Sequence, residues 1–111
     1  MAEKSVDMKG KAVKLKELVE YQKGSVVSRT VIDKKSGTVT LFAFDEGEGL
    51  SEHTAPYDAM LIDLEGNIEV RISGANNRLE EGDVIIMPAN KPHALKALTR
   101  FKMMLVMIKA A

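Results

Sequence analysis

Beyond Gly24 the chain changes texture, and no other feature limits its fold as much. β-branched runs appear, apolar and polar residues alternate, and Gly, Asn, Asp or Pro interrupts every few residues. Ile68, Val70 and Ile72 alternate with Glu69, Arg71 and Ser73. Successive side chains on a strand point to opposite faces, so this segment has one dry face and one wet one. The same logic predicts strands at Ser25 to Asp33, Thr38 to Asp45, Ala59 to Leu64, Val84 to Met87, Pro92 to Thr99 and Phe101 to Ile108. Lys34 to Gly37, Glu65 to Asn67 and Gly74 to Asn77 read as turns, and Asp45 to Gly49 as a loop. Roughly seven or eight short strands spaced in this way argue for an antiparallel sandwich or barrel.

A chain of 111 residues has room for one such domain. Residues 25–109 are expected to form it, with residues 1–24 as an N-terminal arm and short helix. Met1 to Val13 is charged and unpatterned, a solvated tail that is ordered only if it docks. From Lys14 to Tyr21, Leu15, Leu18 and Val19 fall at i, i+3 and i+4, which predicts a short amphipathic helix ended by Gly24. No apolar stretch follows the first charges, and the run Met103 to Ile108 is too short to span a bilayer, so a cytoplasmic protein is expected. Ala59 to Leu64 and Phe101 to Ile108 are apolar on both faces. The barrel interior covers one face, and a second subunit is the natural cover for the other, with the arm or first strand crossing between the copies of a homodimer.

Charge and residue usage narrow the chemistry. Sixteen basic and sixteen acidic residues cancel, so no global field draws in nucleic acid or an anionic membrane. With no cysteine, disulfides, thiolate metal sites and thiol catalysis are excluded. Imidazole chemistry must run through His53 or His93, the two histidines of the chain.

Those histidines lie in two spaced patterns. In the first, Gly47 is followed after five residues by His53, then by Ala55, Ala59 and Gly66; in the second, Gly82 is followed after five residues by Pro88, then by Asn90 and His93. Together they resemble the two motifs of the cupin family, small antiparallel β-barrels, with Gly47, His53, Gly66, Gly82, Pro88 and His93 in register. The resemblance spans Gly47 to Ala97. It implies an all-β cupin (jelly-roll) barrel. It also implies that His53 and His93 stand at metal-ligand positions, where the family's second His and its Glu are here Ala55 and Ala59.

Two imidazoles alone bind a metal weakly and leave its geometry open, so the expected cofactor is none, or a weakly held divalent metal. Asp58 is the best substitute carboxylate, but it needs a bulge to turn inward. Asp63 shares the parity of Ala59, yet lies about 13 Å further along the strand, too far to serve the same ion. If inward, Asp63 needs a buried partner; if outward, it is a solvated carboxylate. Met60, Met87, Met103, Met104 and Met107 read either as core filler or as an adaptable lining.

Two functions follow. The first is a small-molecule-binding barrel whose mouth, rimmed by His53, Tyr57, Asn90 and His93, holds a small polar ligand over an apolar floor. In a metal-free isomerase version, His53 or His93 serves as general base. The second is a metal-dependent dioxygenase or isomerase in which Asp58 joins the two histidines. A purely structural or regulatory dimer with no ligand is the remaining alternative.

Overall fold

The alternating segments become strands of two facing sheets in the computed structural model, which describes residues 2–5 and 8–109. The strands are β1 (Ala2–Ser5), β2 (Val26–Lys34), β3 (Gly37–Phe44), β4 (Gly49–His53), β5 (Asp58–Glu65), β6 (Ile68–Ile72), β7 (Ala75–Leu79), β8 (Val84–Met87), β9 (His93–Ala97) and β10 (Phe101–Ile108). One sheet has the order β1-β2-β3-β10-β5-β8, the other β4-β9-β6-β7. Neighbours run antiparallel except β1, which lies parallel to β2 with Ala2 opposite Val27. This is the antiparallel jelly-roll barrel that the alternation and the motifs predicted.

The core forms where the two sheets face each other. Phe44, Leu61, Phe101 and Met103 from the larger sheet meet Ile68 and Val70 from the smaller, all fully buried. Phe44 and Phe101 pack with ring centroids 5.6 Å apart at 56°, a tilted arrangement that rings favour over a flat sandwich. Each such side chain contributes about 1.5–3 kcal/mol by leaving water. The register therefore cannot slip by one residue, because a slip would turn every core side chain outward.

Two turns fix the connections. Ile72 pairs with Ala75, so Ser73 and Gly74 form a two-residue hairpin loop, and both have positive φ, 49° and 83°. That is the geometry of a type I′ turn, whose twist matches the flanking strands. Gly66, between β5 and β6, has φ 85°, and a Cβ there would run into the Arg100 carbonyl oxygen.

Three strands depart from the sequence reading. β7 (Ala-Asn-Asn-Arg-Leu) is polar because it is an edge strand whose buried residue is Leu79, so the segment read as a turn continues into a strand. β4 is exposed along most of its length and pairs with β9 alone. β1 falls within the segment expected to be a solvated arm; Met1, Val6 and Asp7 of that arm lie outside the described residues.

The expected helix is also replaced. Leu15–Leu18 forms a single 3₁₀ turn with no side-chain cap, and Val19 is already extended at φ −137°, ψ 139°. An uncapped segment this short does not hold a helix by itself, and packing decides its shape. Leu15, Leu18, Val19 and Tyr21 settle on Leu41 and Ala43, on the outer face of the larger sheet. Polar contacts fasten this strap. Lys102 Nζ donates to the Lys16 carbonyl at 2.7 Å, the Gly24 amide donates to Asp45 at 2.7 Å, and the Tyr21 hydroxyl donates to Glu65 at 2.5 Å. The cations of Arg100 and Lys102 lie 5.1 and 5.0 Å from the Tyr21 ring centroid. Among the described residues no helix is long and apolar enough to cross a membrane.

Candidate functional site

His53 ends β4 and His93 begins β9, and the antiparallel register sets them directly opposite each other. Cross-strand partners bring their side chains together on one face. The two rings meet edge to face, with centroids 4.4 Å apart at 68°. β9 lies between β4 and β6, so His93 is 5% exposed, whereas His53 is open to solvent. His93 shares its face with Leu95 and Ala97, both buried in the core, which places the pair at the rim of the barrel interior.

Both rings are oriented from behind. His53 Nδ1 lies 2.8 Å from the Ser51 carbonyl oxygen, and His93 Nδ1 lies 3.3 Å from that of Lys91. A carbonyl only accepts, so each Nδ1 carries the proton and donates it, and in the neutral ring Nε2 keeps its lone pair. Burial, and then the proximity of His53, hold the His93 imidazole below its ordinary value of 6.5. His93 is therefore a neutral hydrogen-bond acceptor at physiological pH.

The loops around the pair are clamped. The turn after β8 puts Asn90 at φ 65°, and the Asn90 amide donates to the Ala55 carbonyl at 2.7 Å. Asp58 Oδ1 accepts the Ala89 amide at 2.8 Å. Asp58 thus ties the loop before β5 to the turn before β9 and is exposed, while Ala59, the next residue, is buried. Tyr57 is half-buried, with Lys109 Nζ 6.0 Å from its ring centroid. Neither Tyr57 nor Asn90 is hydrogen-bonded to either ring: Tyr57 meets Lys109, and Asn90 is tied through its backbone to Ala55.

The donor set does not fit a resident cupin metal. Among the described residues no three His, Asp, Glu or Cys side chains stand where they could share an ion, so Asp58 does not complete a triad with the two histidines. Strand parity sends its carboxylate away from the interior, and no bulge turns it back: β5 keeps a regular register with β10 from Asp58 to Asp63, and its irregularity falls at Leu64, far from Asp58. Ala59, at the family's Glu position, is 3% exposed and has Met87 and Met107 as its in-register neighbours. The place of the missing carboxylate is lined by thioethers and methyls. Of the five methionines singled out in the sequence, Met87 and Met103 are core, Met107 packs against it, Met104 lies under the strap and Met60 is exposed on the outer face.

Asp63 points inward, with the parity of Ala59 and Leu61, and is 1% exposed. Neither carboxylate oxygen has a hydrogen-bond partner. The sequence reading required a buried partner such as an Arg or a Ser hydroxyl for an inward Asp63, and the structure brings neither, only the Glu65 amide nearby. Desolvation pushes its pKa up from 3.8 to about 7; the nearby Glu65 amide opposes this, and Asp83, Glu81 and Glu80 reinforce it. At the other end of the scale, Asp45 is held below the ordinary carboxylate value by the Gly24 amide and then by Arg100.

The comparisons with known proteins agree with the geometry. The family model described as "Cupin domain" matches residues 40–109. A conserved protein of unknown function from Streptococcus pyogenes superposes with a TM-score of 0.87 at 35% identity, covering 92% of this chain and 90% of that one. A cupin superfamily protein from Desulfitobacterium hafniense gives a TM-score of 0.87 at 26% identity, covering 92% and 94%. A cupin 2 conserved barrel domain protein from Leptotrichia buccalis gives 0.83 at 36% identity, covering 86% of this chain and 46% of that one. A search of curated proteins gave no match.

Proposed function

This chain belongs to the cupin family, and within it we propose that the barrel rim at His53 and His93 binds a small polar molecule through imidazole acceptors rather than through a tightly held metal. The observation that carries this reading is the pair of Nδ1 contacts to the Ser51 and Lys91 carbonyls, which leave Nε2 of both rings free to accept. A ligand that suits them donates hydrogen bonds, from hydroxyl or amine groups, and carries an apolar part that can rest against Ala59, Met87 and Met107. His53 is exposed and meets the ligand first; His93 lies deeper and is held neutral. An imidazole acceptor beside a bound hydroxyl or acidic C–H is also the minimum equipment for proton transfer.

The second reading is a metal-dependent enzyme, and the same Nδ1 contacts speak for it, since metal-binding histidines are commonly oriented through their other nitrogen. The missing third donor speaks against it.

One set of measurements separates the two. Protein made without a histidine tag is assayed for bound metals and screened by thermal shift against hydroxylated and amino metabolites. The proposal expects less than stoichiometric metal and a ligand whose stabilisation is lost in His93→Ala. Stoichiometric iron, manganese, nickel or zinc that disappears in His93→Ala would overturn it.

A further inference from the structure

The edge strand β8 closes the larger sheet with little of its own to hold it there. It has four residues, pairs with β5 alone, and turns Val84 and Ile86 to solvent at 55% and 59% exposure. Its inward side chains are Ile85 and Met87, and Met87 is the in-register neighbour of Ala59. A strand that buries so little opens locally before the core does.

Both ends of β8 are fastened through the backbone. Beyond its last residue, the Ala89 and Asn90 amides hold to Asp58 and to the Ala55 carbonyl. At its start the fastening is Asp63, whose amide donates to the Asp83 carbonyl at 2.9 Å and whose carbonyl accepts the Gly82 amide at 2.8 Å. The turn that leads into β8 is a unit in itself. The Asp83 amide donates to the Glu80 carbonyl at 2.9 Å, and Asp83 Oδ2 accepts the Glu80 amide at 2.8 Å. The residue that anchors this turn is therefore the one whose buried carboxyl has no partner on either oxygen.

The charged groups around that carboxyl oppose its ionisation. The turn supplies Glu80, Glu81 and Asp83, all exposed and all acidic. β5 supplies Glu65, whose amide favours the ionised form and whose carboxylate accepts from Tyr21 of the strap. Lys16, also of the strap, sets its Nζ 3.4 Å from Glu81 and 3.9 Å from Glu65. On β10, Lys102 holds the Lys16 carbonyl and Arg100 holds Asp45. β6 and β7 bury Ile68 and Leu79 at this end, which carry no charge. Among the described residues no cation is paired with Asp63.

We propose that β8 and its acidic turn form a flap latched by the proton on Asp63, closed while the carboxyl is protonated and swung open when it ionises and takes up water. A carboxylate buried without a partner has to be hydrated. β10, the other neighbour of β5, is paired on both sides from Lys102 to Ile108, so water enters from the β8 side. Opening separates Asp63 from the three acidic side chains of the turn and takes Ile85 and Met87 out of the barrel wall. The carboxyl titrates at about 7 when closed and near 3.8 when exposed, so opening releases a proton and grows more frequent as pH rises across that interval. One consequence, the loss of Met87 from beneath a bound ligand, rests on the rim being a binding site; the opening itself does not.

The test is native-state amide exchange of the full chain, followed by NMR from about pH 4.5 to 7.5, with each rate divided by that of an unfolded peptide at the same pH. The amides of β8 should exchange independently of low urea concentrations, because the flap exposes little surface, whereas those of β10 should follow urea-dependent global unfolding. The shift of Asp63 sets a ceiling of about 1,000-fold on the loss of β8 protection across this range, and water penetration lowers it to about 30-fold. In Asp63→Asn the loss should vanish. A second readout needs no change at Asp63. The chain has no cysteine, so Ile85→Cys carries a single thiol whose labelling rate, relative to free cysteine at each pH, should rise over the same interval. Exchange in β8 with the urea dependence of β10, a pH effect that survives in Asp63→Asn, or a flat relative labelling rate each overturns the proposal. A rim that binds no ligand leaves all three readouts unchanged, so the two proposals fail separately.

Discussion

Replacing Asp63 with Asn tests the least comfortable group in the barrel. In the folded chain its carboxyl is buried without a partner and titrates at about 7; in the unfolded chain it titrates near 3.8. The folded state therefore holds this proton more tightly, and stability falls as pH rises through the interval between the two values. The contribution is complete below pH 3.8, declines until about pH 7, and is level above it. A shift from 3.8 to about 7 corresponds to a ceiling of about 4 kcal/mol. Water penetration and relaxation around an ionised interior group reduce this, and about 2 kcal/mol is the working figure. Asn keeps the shape and cannot ionise, so Asp63→Asn should match the wild type near pH 4 and exceed it by about 2 kcal/mol at pH 8. Paired urea denaturation curves at half-unit pH steps measure this difference, and subtracting the two proteins removes every other titrating group. If the difference is flat across the interval, Asp63 ionises normally in the folded chain and the reasoning fails. If the wild type gains relative to Asn as pH rises, the carboxylate has a favourable partner and the reasoning is wrong in sign.

Three further outcomes follow from the geometry. Gly66→Ala places a Cβ against the Arg100 carbonyl at a residue with positive φ, and should cost more than about 2 kcal/mol in chemical denaturation, whereas Gly74→Ala, with open space around it, should cost only the backbone strain of about 1 kcal/mol. Tyr21→Phe removes the hydroxyl that donates to Glu65, a charged acceptor, and should cost about 1.5 kcal/mol while speeding amide exchange across the strap, measured by mass spectrometry. Binding of a hydrogen-bond-donating ligand should hold through neutral pH and weaken only in acid, because His93 is held below its ordinary value; calorimetric titration across pH checks this, and binding that strengthens in acid would contradict the acceptor role.

The sequence was most informative where burial repeats regularly. The alternation at Ile68 to Ile72 and the apolar run Phe101 to Ile108 became β6 and β10 within the expected limits. Sequence reading failed at strands with little to bury. β7 carries Asn76, Asn77 and Arg78 because an edge strand needs one dry residue, and its pairing to β6 comes from the Ser73-Gly74 turn rather than from its own side chains. Leu15 to Val19 carried a helical pattern, yet three contacts onto Leu41 and Ala43 can be made from one 3₁₀ turn and an extended residue. At the site, the resemblance in motif spacing brought His53 and His93 together, but the carbonyls that fix their tautomers were not legible in the sequence, because those belong to β4 and to the turn before β9. Asp58 was limited by parity alone, and the structure gives it a different task, holding the Ala89 amide.

What the sequence determined by itself is the barrel and the two imidazoles at its rim, since period-two patterning and fixed motif spacing are local properties of the chain. It also determined that two of the family's ligand positions carry methyl groups, which no folding can turn into donors. The tertiary structure alone decided which half of the outer face remains bare, whether Asp63 finds a partner, and which nitrogen of each histidine is free. Each of these depends on what arrives from a distant part of the chain: the strap over Leu41, the acidic turn at Glu80 to Asp83, and the Lys91 carbonyl behind His93. Side-chain alternation tells a residue which way to point, and only the packed fold tells it what it will meet there.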